Sequence, residues 1–347
     1  MNKLKLKFFK VLLNYTSKEK SRYFLDFNTF SLGFFISFAF ALIISIIVNM
    51  SMSKEDLAIY NFNKSVIEFV SYILTLVLYR SYLRFNINGA NISIFRKVMR
   101  LNFIAFLLLE ILTYYLTKSF WALLFPFFIF YEERLYFFRS IMKIKSLNFL
   151  KILTSLFTLI TVIILFFQKS IKPNYLLLSY GIGFFISVFF YKKNRKVVID
   201  LDIIPWNKIL AYSLPVVGLI IVRLSLDISS QYLIKLNFDL AQLSIYAIGT
   251  RVLLSVKVFS SILMMFFPVI YFREIKKKNN KFINKIRHGL TLIMFSIVVM
   301  SIIFSEKIYH IMGASTYIEN INVFRLLSIS EFIFIVGGFW GIYLSYA

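Results

Sequence analysis

Phe30 to Met50 reads FSLGFFISFAFALIISIIVNM, a run without a single Asp, Glu, Lys or Arg. Crossing a hydrocarbon core of roughly 30 Å as a helix takes about 17 to 25 residues of this kind. Nine more such runs follow, at about 59–79, 101–117, 119–138, 149–167, 175–191, 209–234, 243–270, 289–304 and 326–345. In lipid every backbone N–H and C=O must be satisfied internally, so only helices and closed barrels span a membrane. Barrel strands alternate polar and apolar residues over about ten positions, whereas these runs are apolar throughout. The expected fold is all-α, a polytopic integral membrane helical bundle of about ten spans. The first run is too long and starts too late for a cleaved leader and is read as a retained span.

The 40 Lys and Arg outnumber the 16 Asp and Glu, giving a net charge of +24. In a soluble protein that excess would point to nucleic acid. Here the basic residues gather in alternate links between spans, among them Arg80, Arg84, Arg96, Lys97, Arg100, Arg139, Lys151 and Lys208. That is the pattern of the positive-inside rule, and it places both termini in the cytoplasm of a multi-pass membrane protein. No nucleic acid is expected as a partner; the lipid bilayer is. The opening KLKLKFFKVLLNYTSKEK either lies on the membrane as an amphipathic helix or serves as a basic flank orienting the first span. The absence of cysteine excludes disulfides and thiolate metal sites.

An internal repeat organises the chain. DLAIYNFNKSV, Asp56 to Val66, returns as QLSIYAIGTRV, Gln242 to Val252, each time ahead of an apolar span that ends in a basic segment. The copies follow spans one and seven, so the halves share one orientation. Parallel repeats of this kind build two lobes around a central cavity in some transporters. The expected division is 1–28, a basic N-terminal segment; 29–191, an N-terminal lobe of six spans; 192–208, a cytoplasmic linker; and 209–347, a C-terminal lobe of four spans, either shortened or truncated.

Charges inside spans are costly and so informative, at about 2.5–3.5 kcal/mol each on insertion scales. Arg223 and Asp227 are four residues apart, on one helical face. Arg251 and Lys257 sit in span eight with no acidic residue beside them, and Lys64 and Glu68 form an i,i+4 set near the start of span two. Glu110 lies mid-span with no basic neighbour in sequence, which demands a proton, a partner on another helix or a wet cavity. FPFFIFYEERLYFF carries Glu132, Glu133 and Arg134 beyond Pro126; Pro126 and Pro215 are either sites of bending or tolerated kinks. His288 and His310 have no ligand spacing for a metal. No Gly-rich phosphate loop or nucleophile motif occurs, so neither an enzyme nor a cofactor is expected.

AYSLPVVGLII entering span seven, Asp227, LSIYAIG after the short loop, FFPVIYFRE closing span eight and the later HIMGASTYIENINVFRLLSISE together resemble the Wzx-type O-antigen and polysaccharide flippases of the multidrug/oligosaccharidyl-lipid/polysaccharide exporter superfamily. The resemblance implies a transporter that moves an undecaprenyl-pyrophosphate-linked oligosaccharide to the periplasmic leaflet by alternating access. A polysaccharide polymerase and a chain-length regulator would be further partners. On that implication Arg223, Arg251 and Lys257 form a cationic substrate site with Asp227 orienting Arg223, and Glu110 couples transport to an ion. The alternatives are a structural ion pair at Arg223 and Asp227, and snorkelling of Lys257 toward water. A cation-coupled multidrug exporter of the same superfamily is the second reading, and a membrane polysaccharide polymerase the third.

Overall fold

The computed structural model describes residues 18–86, 90–141, 143–189, 199–200, 202–238, 240–276 and 280–344; side chains at 18–27, 199–200, 340–344 and some positions between 216 and 276 lie outside the description. Most of the basic N-terminal stretch therefore falls outside it as well. The described elements are helices joined by short links: α1 (Lys18–Ser51), α2 (Lys54–Leu74), a 3-10 turn (Leu78–Ser81), α3 (Tyr82–Phe85), β1 (Ala90–Asn91), α4 (Ile92–Thr117), a 3-10 segment (Phe120–Phe127), α5 (Phe128–Ser140), α6 (Ile144–Phe167) and α7 (Pro173–Phe189). The second half holds β2 (Ile199–Asp200), α8 (Trp206–Asn237), α9 (Leu240–Val252), α10 (Leu254–Lys276), α11 (Asn280–Ile303), α12 (Ser305–Ile311), a 3-10 turn (Ser315–Asn320) and α13 (Ile321–Leu344). Each expected span corresponds to a helix or a consecutive helical pair, so the chain is an all-helical, multi-pass membrane protein. Among the described residues four helices are long and apolar enough to cross a bilayer alone, and up to six if each bent pair counts as one span. Phe103, Ile104, Leu107, Leu108 and Ile111 of α4 face outward, as a lipid-facing surface requires.

Two spans read as single runs, two and eight, are bent, and span four changes its helical form. Span two bends by 59° between α2 and the Leu78–Phe85 segment. Thr75 explains where. Its hydroxyl donates to the Ser71 carbonyl at 2.8 Å and accepts from the Val77 amide at 3.3 Å, diverting the backbone from the helical pattern. Leu76 and Val77 then take φ of +46°. For a β-branched residue that conformation costs about 1–2 kcal/mol, and the full burial of Val77 holds it. Span eight bends by 45° at Leu253, between α9 and α10. In span four Pro126 lies inside a 3-10 segment that becomes α-helical at Phe128, whereas Pro215 is carried inside continuous α8.

Within the first half α6 packs along α1 and α7, and α7 lies on the Phe120–Phe127 segment; within the second, α10 and α11 pack together and on α13. The halves meet where α2 packs on α8 and α9, and α1 on α10. The two repeat segments, on α2 and α9, are thus direct neighbours. Close approach of α7 depends on Gly181, where an added Cβ would stand 2.5 Å from the Leu124 carbonyl carbon. Gly181→Val should destabilise the fold by about 1–3 kcal/mol, read as a lowered unfolding temperature in detergent; an unchanged temperature would show that the helices do not approach this closely.

Candidate functional site

At the meeting face of the two halves an aromatic side chain of α2 meets a cation of α9. Tyr60 of α2 is buried and stacks on Tyr180 of α7 with centroids 6.4 Å apart. The guanidinium of Arg251, one residue from the end of α9, sits 5.3 Å from the Tyr60 centroid and is itself buried, 8% exposed. Among the described residues no carboxylate pairs with Arg251, and its Nε has no hydrogen-bond partner. A buried cation without a counter-charge is several kcal/mol out of balance. A cation–π contact returns about 2 kcal/mol at best.

One turn along α2, Lys64 and Glu68 form the local pair expected from their spacing, 3.6 Å apart and about one third exposed. Ser65 accepts from Gln231 of α8 at 3.1 Å, and the Lys235 ammonium lies 4.5 Å from the Phe62 centroid. Beyond the break, Lys257 is half-buried on α10. Arg223 and Asp227 both lie in α8, but their side chains are outside the described residues. Glu110 stands apart on α4, half-buried between the buried Leu109 and the outward Ile111, with no ion-pair partner among the described residues. The structure thus brings Arg251 to the contact of the halves next to Tyr60 and places Glu110 elsewhere.

A second charged cluster corrects the reading of Arg80, Arg139 and Lys151 as loop residues. Arg139 and Lys151 are buried and Arg80 half-buried. Arg80 and Arg139 each lie 5.4 Å from the Tyr136 centroid, and the Lys151 ammonium is 3.6 Å from that of Phe34. Aromatic faces supply the negative potential that a loop would have drawn from water. Glu132, on α5, is half-buried. Its neighbour Glu133 is fully buried, accepts from the Tyr82 hydroxyl at 2.9 Å and approaches Arg134 Nε at 3.6 Å. Sequence reasoning also missed Glu331 in α13, which accepts from Ser260 of α10 at 2.9 Å; an acid inside the last span was the signal. Among the described residues no three His, Asp or Glu gather as a metal site would need.

The halves are tied at both ends. On the less basic side Asn49 Nδ2 donates to the Met312 carbonyl at 2.9 Å, and the Lys54 ammonium lies 5.1 Å from the Tyr317 centroid. On the basic side Arg84 lies 5.3 Å from the ring of Tyr212 in α8, and Phe85 meets that ring edge-on at 6.3 Å. The halves are therefore in contact at both ends of the bundle.

No protein-family model matches the chain, and no curated protein sequence does. Among solved structures it is similar to the MATE multidrug transporter DinF-BH, solved with a bound ligand, with a TM-score of 0.64 and 13% identity over 92% of this chain and 84% of that one. It is also similar to a point mutant of the Vibrio cholerae MATE transporter VcmN, with a TM-score of 0.55 and 15% identity over 94% and 85%. The chain therefore has a MATE-like fold.

Proposed function

We propose that the chain is an alternating-access secondary transporter whose substrate is an anionic amphiphile, an undecaprenyl-pyrophosphate-linked oligosaccharide for O-antigen or a related polysaccharide, carried across the bacterial inner membrane between two lobes. Arg251 carries this reading, buried at the contact of the halves and without a carboxylate partner among the described residues. It lacks the negative charge that a pyrophosphate would bring, and its planar fork suits phosphate oxygens. Arg223, with Asp227 orienting it, and Lys257 are the further proposed contacts, and Glu110 the proposed coupling carboxylate. Multidrug export is the second reading, and the description of DinF-BH as a multidrug transporter favours it. Against it stands the buried guanidinium of Arg251 at the contact of the halves, which would repel a cationic drug.

Deletion of the gene separates the two. The proposed reading expects lipid-linked repeat units to accumulate in the cytoplasmic leaflet and surface polymer to fall, with cellular retention of a cationic dye unchanged. Intact surface polymer together with raised dye retention would replace it with the multidrug reading.

A further inference from the structure

The link between the halves does more than connect them. Ala90 and Asn91 pair in parallel with Ile199 and Asp200, and Asn91 Nδ2 donates to the Asp202 carbonyl at 2.8 Å. Lys97 of α4 fastens the next stretch, donating to the Ile204 carbonyl and lying 5.2 Å from the Trp206 ring. The strap so formed closes one side of a pocket of about 370 Å³ lined by Ile92, Ser93, Arg96, Lys97, Arg100 and Ile203.

The charges in that pocket are placed against local physics. The first turn of α4 has no acid, and its second and third turns carry Arg96, Lys97 and Arg100. Arg96 and Arg100 are also a like-charge i,i+4 pair, which is destabilising. Both are exposed, and among the described residues neither has an ion-pair partner. An anion seated between them, with the Ser93 hydroxyl as a further donor, would relieve that repulsion. Orientation by the positive-inside rule accounts for the sign of these charges, but not for a pocket built around them by a strap roughly 100 residues away in sequence.

The strap also favours one source of phosphate. Ile203 is 85% exposed and Trp206 43% exposed, immediately beside the basic pocket. An exposed aliphatic residue and a Trp at the end of a spanning helix match the boundary between headgroups and acyl chains. We infer that the strap and the start of α4 form a binding site for the phosphate headgroup of an anionic phospholipid, with Arg96 and Arg100 gripping the phosphate and Ile203 and Trp206 meeting its acyl chains. Bound lipid would fasten the link to the first half of the protein. The site does not depend on the transport reading, and neither does its test.

The test is thermal unfolding of the purified full-length protein in neutral detergent with added phosphatidylglycerol, phosphatidylcholine or inorganic phosphate. Phosphatidylglycerol should raise the wild-type midpoint by about 3 °C, the scale of a ligand in excess over its Kd; the other two should not. Arg96→Gln/Arg100→Gln should lose that rise, whereas Lys281→Gln/Lys285→Gln, which removes the same charge from exposed positions of α11, should keep it. Native mass spectrometry of the same samples should find retained phosphatidylglycerol in all but the Arg variant. An equal rise with inorganic phosphate, an equal rise in the Arg variant, or equal loss in the Lys control would each overturn the assignment.

Discussion

Arg251→Gln is expected, on the proposed reading, to lower export of a lipid-linked substrate at least tenfold while leaving the amount of protein in the membrane unchanged. The guanidinium is buried against Tyr60 with no carboxylate beside it among the described residues. If its role were only structural, removing an uncompensated buried charge would be neutral or stabilising. If it grips a pyrophosphate, removing it loses charge-assisted bonds to the substrate, and a loss of about 1.4 kcal/mol is already tenfold. Arg251→Lys should fall in between, since it keeps the charge and loses the planar fork and the stacking on Tyr60. Export would be measured as surface polymer per unit of membrane protein. Wild-type export in Arg251→Gln would remove Arg251 from the site.

The bundle was legible in the sequence because lipid imposes a single rule on backbone, and runs such as Phe30 to Met50 obey it without exception. Arg251 was legible for a related reason: a cation inside a span must be accounted for. The bends were not. The break in span two turns on one hydroxyl, that of Thr75, in a stretch whose hydropathy does not change. Arg80, Arg139 and Lys151 were misplaced because a charge-counting rule assumes water as their partner, whereas Tyr136 and Phe34 take that role from elsewhere in the chain. The strap was invisible for the same reason, since Ala90 and Ile199 have no shared pattern to bring them together. Local periodicity reports which residues face lipid, and polar partners distant in sequence leave no mark on it.

The proposed alternating-access transport requires the halves to part at one end and then at the other, which makes the two closing contacts the decisive place to measure. The chain has no cysteine of its own, so paired cysteines can be introduced without background. Lys54→Cys/Tyr317→Cys bridges the less basic end and Arg84→Cys/Tyr212→Cys the basic end, each replacing a contact of about 5 Å. Transport by each reconstituted pair would be compared before cross-linking with a short, cleavable bismaleimide, after it, and after cleavage. Each bridge alone should reduce transport more than tenfold, with recovery on cleavage, because either one traps the protein in a state that cannot release or cannot load. Transport at the uncross-linked rate with either bridge in place would contradict alternating access between the two halves.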